Sequence, residues 1–253
     1  MLMLIPFWEE QVKESFYRTA MLLGEDAEQA LLKAHAVVFG VGGVGGHACD
    51  ALARTGVGRL TVVDSAYVKP SNLNRQICAR KSTLGMAKTL AMRQHIEDVS
   101  DCRVTCVNAF VTRENASELI PDDADIVIDA VDNVTAKIAL AEACAARGVP
   151  LLSSMGAGNR LDPTAVRAAD IKATSTDPLA RVMRRELNKR GVSELRTVYS
   201  VEQPVAPLMP APDPDMKPNA PASAVFVPAA FGLALAAEAI KILLSEKTEV
   251  NRT

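Results

Sequence analysis

At 253 residues, 49% of them hydrophobic, the chain is long enough for a large buried core and short for three domains. A charged content of 23% and a mean hydropathy of +0.10 exclude global disorder and a collagen-like or Gly/Ser polymer. The net charge is -2, and aromatics at 4% argue against gripping a bare nucleic-acid strand through many stacked rings, although a local basic patch stays open.

The first residues, MLMLIPFWEEQ, have no basic region and too short an apolar run for a signal peptide. Strand-length apolar runs then alternate with helix-length amphipathic stretches to about residue 155. Strands are predicted over 36–41, 60–64, 103–110, 125–131 and 149–153. Helices are predicted to begin near Val44, Leu84, Thr112 and Asn133, the last ending at Arg147-Gly148 with Pro150 beyond. The fold class expected is α/β, a doubly wound, Rossmann-like, mostly parallel sheet with a mixed C-terminal extension.

The first strand runs into Gly40-Val41-Gly42-Gly43-Val44-Gly45-Gly46. The GxGxxG spacing of Gly40, Gly42 and Gly45 therefore lies in the strand-turn-helix context where bare backbone and a helix N-terminus receive a phosphate. Asp64, closing the second strand, is placed to accept hydrogen bonds from a ribose diol. These features alone fit NAD and ATP equally. Beyond Asp64, Ser71-Asn72-Leu73-Asn74-Arg75-Gln76 brings amides and a guanidinium together, and Lys88 falls about one turn into the next helix. Such donors suit a polyphosphate and are superfluous for a dinucleotide whose pyrophosphate sits on the helix N-terminus. By itself Lys88 reads equally well as part of a solvated helix face.

The five cysteines (49, 78, 102, 106, 144) contain no CxxC pair, which suggests neither a disulfide framework nor a zinc knuckle and fits a reducing cytoplasm. Cys102 and Cys106 fall on one face of a strand and are expected to pack rather than bind metal. Asp129-Ala130-Val131-Asp132-Asn133 ends the fourth strand, where open α/β sheets bind ligands. There Asp132 is either a magnesium ligand beside ATP phosphates or the N-cap of the following helix.

After Ser154 the pattern changes to short mixed strands, a basic helix over about 178–190 and a strand over 197–202. Six prolines between 204 and 218 predict a mobile loop over 204–222. Residues 218–237 carry no charge, which approaches the length of a membrane span. The helix predicted over 229–244, however, carries Glu238 and Lys241 and reads as a buried core helix in preference to an anchor. Between Arg160 and Arg196, nine basic residues face five acidic ones, and Arg181, Arg184, Arg185 and Lys189 recur at helical intervals. That helix is either a solvated face or a basic stripe for an RNA backbone.

Taken together, GxGGxG, Asp64, SNLNRQ, Lys88 and DAVDN resemble the adenylating domain of ubiquitin-activating enzymes and of the ThiF-like and MoeB-like activators of sulfur carriers, over about residues 15–160. The resemblance implies nucleotide binding by Gly40, Gly42, Gly43, Gly45, Asp64, Asn72, Arg75, Gln76, Lys88, Asp132 and Asn133. It implies Mg2+ on Asp132, and catalytic roles for Arg75, Lys88, Asp132 and Arg18. Arg18, in Phe16-Tyr17-Arg18-Thr19-Ala20, matches the arm that delivers an arginine across a homodimer interface, and equally fits an exposed helix residue.

The second half departs from the sulfur-carrier activators, because no cysteine follows Cys144. It resembles instead the bacterial tRNA threonylcarbamoyladenosine dehydratases, on GAGNRLDPT (156–164), TDPLAR (176–181), VYSVEQPV (198–205) and SAVFVPAAFGL (223–233). The resemblance implies an ATP-dependent adenylating enzyme that cyclises the modified adenosine next to the anticodon. Its expected organisation is one adenylating domain over 1–253, with a nucleotide-binding part over 30–155 and a substrate-binding, dimer-forming part over 156–253. Expected partners are tRNA, on Arg181, Arg184, Arg185 and Lys189, a second copy of the chain, and a sulfur-transfer protein as a further candidate. The alternative reading is adenylation of the C-terminal glycine of a ubiquitin-like sulfur carrier.

Overall fold

The computed structural model describes residues 13–210 and 221–250, with side chains to Ser245. Two short helices, α1 (Tyr17–Leu23) and α2 (Glu25–Lys33), lead into β1 (His35–Phe39), whose five residues are all buried. The chain continues through α3 (Gly45–Thr55), β2 (Arg59–Val63), α4 (Lys88–Glu97), β3 (Arg103–Val107), β4 (Ile126–Asp129), α5 (Val134–Arg147) and β5 (Leu151–Ser154). It ends with β6 (Val166–Asp170), α6 (Pro178–Asn188), β7 (Arg196–Ser200) and α7 (Phe226–Val250).

One sheet of order β3-β2-β1-β4-β5-β7-β6 runs through both halves of the chain. All neighbouring strands are parallel except β6 against β7, as a doubly wound sheet with a mixed extension requires. The order reverses between β1 and β4, which opens a crevice at their C-terminal ends. Every predicted strand is present, most of them a few residues shorter than read.

Two predicted helices differ. The one expected near Leu84 begins at Lys88, because Gly85 holds φ +80 and a short 3-10 turn precedes it. Lys88 is thus the first residue of α4 and not a turn inside it. The helix expected from Thr112 is a run of turns: the Asn115 carboxamide accepts from Thr112 N and donates to Phe110 O, and Pro121 follows.

The long apolar helix α7 meets the length and composition of a membrane span, yet Val227, Phe231, Leu235, Ala239 and Leu243 are buried in the main core. Gly232 lets it close on α3, since a Cβ there would lie 2.5 Å from Val44 O. The middle of the loop predicted over 204–222 lies outside the described residues, and its described flanks contain neither helix nor strand.

Candidate active site

The glycine turn is built by close approach. Gly40 holds φ +86, and a Cβ there would lie 2.7 Å from Ala130 O; a Cβ on Gly45 would lie 1.9 Å from Gly40 O. At Gly42 the nearest such neighbour is Gln76 Nε2 at 4.0 Å, so this position faces open space. No side chain caps α3; Gly46 N and Ala48 N donate to Gly42 O and Val44 O, and the helix N-terminus still favours an anion.

Asp64 pins this turn: Oδ2 accepts from Val41 N at 2.8 Å and Oδ1 from Ala66 N at 2.8 Å. Each oxygen keeps a second lone pair, so the pinning is compatible with a ribose contact. Lys88 Nζ lies 3.9 Å from Asp64 Oδ2 with both side chains largely buried, and the solvated-face reading of Lys88 fails. Across the turn, the Asn72 carboxamide accepts from Lys69 N, which anchors the SNLNRQ stretch. Arg75 is half-buried and donates to Ser71 O and Asn74 Oδ1, both neutral, and burial lowers its pKa. Gln76 is buried and its Oε1 has no partner among the described residues. A half-buried cation with only neutral acceptors fits an anionic ligand, whereas the Gln76 oxygen, an acceptor, needs a hydrogen-bond donor.

At the end of β4 the two readings of Asp132 separate. Asn133 caps α5, its Oδ1 accepting from Ala136 N at 3.1 Å, while Asp132 is exposed and makes no hydrogen bond among the described residues. No group of three metal-ligating residues occurs among the described residues. A single free carboxylate suits an ion held mainly by phosphate oxygens and water.

Beneath Asp132 lies a buried ion pair that the sequence reading missed. Asp129 Oδ2 accepts from Lys137 Nζ at 3.0 Å and from Ser153 Oγ at 2.6 Å, and Oδ1 accepts from Val131 N. Lys137 also donates to Ser154 O at 2.6 Å. A lysine within the apolar run of α5 was the available signal.

The basic helix is less free than its sequence suggests. Arg184 donates to Ile171 O, Thr174 O and Thr174 Oγ1, so it ties α6 to the loop before it. Arg185, Lys189 and Arg190 all reach Glu186, and Lys189, Arg190 and Arg185, in that order, bring its pKa down to about 2. Arg181 is exposed and unpaired among the described residues. Arg160, counted in the basic stretch, is buried: Nη2 donates to Asp177 Oδ2 at 2.7 Å.

On α1, Arg18 is exposed beside Met21 and Leu22, which are 85% and 83% exposed. Burial pushes the Cys102 and Cys144 thiols up to about 12 and Cys78 to about 11, which removes them as nucleophiles at neutral pH. A cleft of about 250 Å³ among Phe16, Gly58, Asp101 and Arg103 lies at the N-terminal ends of β2 and β3, the opposite edge from this chemistry.

The ThiF family model matches residues 16–253, almost the entire chain. The chain belongs to the ThiF family. It is 36% identical to the tRNA threonylcarbamoyladenosine dehydratase of Bacillus subtilis, over 91% of this chain and 95% of that protein. To the enzyme of the same name from Escherichia coli it is 35% identical, over 92% and 95%. Crystal structures of the Escherichia coli enzyme in complex with AMP and with ATP superpose with a TM-score of 0.84, covering 96% of this chain and 97% of that one. The adenylyltransferase and sulfurtransferase MOCS3 of Anopheles gambiae matches at 35% over 52% of this chain and 30% of its own.

Proposed function

We propose that this ThiF-family protein is an ATP-dependent tRNA threonylcarbamoyladenosine dehydratase. The observation that carries the reading is the match to two such enzymes over nearly the full length of both chains, including the half where sulfur-carrier activators differ. The threonyl carboxylate of the modified nucleoside attacks the α-phosphorus of ATP and pyrophosphate leaves. The neighbouring carbamoyl group then closes on the acyl adenylate, and AMP carries away the carboxylate oxygen, so one water is lost from the nucleoside overall.

In this reading the amides at the start of α3, with Gly40, Gly42, Gly43 and Gly45, hold phosphate, and Asp64 holds the ribose. Arg75 and Lys88 stabilise charge developing on the phosphorus, with Asn72, Gln76 and Asn133 fixing the surrounding hydrogen bonds. Bound at Asp132, Mg2+ would neutralise charge on the phosphates. Arg18 serves the partner's crevice in a homodimer to which the 156–253 part and the apolar exposed side of α1 both contribute. The tRNA backbone lies along α6, where Arg181 is the free cation and Arg185 and Lys189 are shared with Glu186; Arg184 acts there as a structural tie. The nucleotide part over 30–155 and the substrate part over 156–253 work as one adenylating unit. A cytoplasmic setting fits the free cysteines, four buried and Cys106 partly so, whose burial argues against persulfide chemistry on this chain; a sulfur-transfer protein stays a further candidate partner. Incubation with ATP and tRNA bearing the modification tests the reading: mass spectrometry of the digested RNA should find the modified nucleoside short of one water. A nucleoside left unchanged refutes it.

A further inference from the structure

Three stretches of the second half, far apart in sequence, meet at one buried cation. Arg160 Nε donates to Gly156 O at 2.8 Å, Nη1 to Glu202 O at 2.5 Å and Nη2 to Asp177 Oδ2 at 2.7 Å. The other Asp177 oxygen caps α6 through Ala180 N. The Glu202 carboxylate turns back to accept from Leu161 N and Asp162 N. Next to Arg160, Asn159 holds both described roots of the proline-rich loop: its O accepts from Val205 N, its N donates to Ala222 O, and its Oδ1 accepts from Ala222 N. Ser223 O in turn accepts from Asn74 Nδ2, which links this knot to the stretch carrying Arg75.

The backbone is strained at the same place. The two non-glycine residues with positive φ among the described residues are Asn159 and Thr176, both at +59. For a β-branched residue such as Thr176 this conformation is costly and survives only where its surroundings impose it. A buried ion pair is replaceable by apolar side chains with little loss of stability. What apolar side chains cannot supply is a planar fork that fixes two carbonyls and a carboxylate from three segments in one register.

The phosphate-directed groups lie after β1 and β2, with Asp132 after β4. The knot continues from the end of β5, the next strand over. It therefore borders the crevice on its β5 side, beside the loop that carries Asp132, and under the dehydratase reading this is the side left for the acceptor nucleoside.

We propose that Arg160 is a positioning residue for the RNA substrate: held by Asp177, it sets the wall formed by residues 156–162, 202–205 and 222–223 against which the modified nucleoside is presented to ATP. The proposal rests on the dehydratase reading, and ATP binding does not depend on it.

The test uses the full-length protein with Arg160→Lys, which keeps the charge and loses the fork, and with Arg160→Met/Asp177→Asn, which removes both charges while Asn keeps the cap. Wild type and variants are compared for ATP affinity without RNA, for the KM of tRNA carrying threonylcarbamoyladenosine, and for amide hydrogen exchange. Both variants should bind ATP within twofold of wild type and raise the tRNA KM at least tenfold. Exchange should quicken at Asn159, Leu161, Val205 and Ala222 but not at Gly46 or Val41. A tRNA KM within twofold of wild type despite quickened exchange overturns the positioning role, as does an equal loss of ATP affinity. A wild-type protein that binds ATP but leaves the tRNA unchanged sinks the dehydratase reading itself, and this inference with it.

Discussion

Replacing Lys137 by Met leaves the Asp129 carboxylate, which is 0% exposed, without its counter-charge. One-sided removal of a buried pair costs roughly 3–5 kcal/mol. For a chain of this size that corresponds to a melting temperature lower by roughly 6–20 °C, at about 2–4 °C per kcal/mol. Asp129→Asn should cost a similar amount, because it strands the ammonium. The double variant removes both charges, and Ser153 Oγ still finds an acceptor in the new amide. What it loses is the donor to Ser154 O, worth about 1–3 kcal/mol. The singles would sum to roughly 6–10 kcal/mol if independent, so the double-mutant cycle should return a coupling of at least about 3 kcal/mol. Urea unfolding of the four proteins with a common slope measures it. A single variant losing less than about 1 kcal/mol, or a double as unstable as the sum, would refute the claim that the pair is buried and interdependent.

Asp132→Asn should keep the wild-type melting temperature, since the side chain is exposed and unbonded, yet lower metal-dependent ATP turnover by about a hundredfold or more. Lys88→Ala should lose as much; normal turnover in either folded variant contradicts the site assignment. Light scattering should give twice 27.0 kDa, and Met21→Glu/Leu22→Glu should halve it; a monomeric wild type removes the role of Arg18 in trans. Arg181→Glu should flatten the salt dependence of tRNA binding by roughly 0.7–0.9 for each phosphate it no longer neutralises. Arg184→Glu should instead lower stability, and an unchanged melting temperature there would contradict its role as a tie to Ile171 and Thr174.

The strands, the glycine turn and the placement of Asp64 and Arg75 were legible because each rests on local pattern: a buried apolar run, a positive-φ glycine, a strand end. What was not legible depends on backbone and side-chain contacts that periodicity does not read, some local and some distant in the chain. Lys88 starts its helix because Gly85 breaks the run before it. Thr112 starts no helix because Asn115 spends its carboxamide on the backbone. Charge counting over 160–196 does not show which cations are free, because it cannot see that Arg160 faces Asp177 seventeen residues on, or that three cations share Glu186. Lys137 was invisible for the same reason, its two carboxylate and carbonyl partners lying on neighbouring strands of the sheet.

The most direct test of the central claim is ATP–pyrophosphate exchange by the wild-type protein, with either tRNA carrying threonylcarbamoyladenosine or a purified ubiquitin-like carrier as the carboxylate. Exchange that rises with the modified tRNA, and not with unmodified tRNA or the carrier, is the result expected. Exchange that rises with the carrier alone would contradict it and assign the crevice to carrier activation.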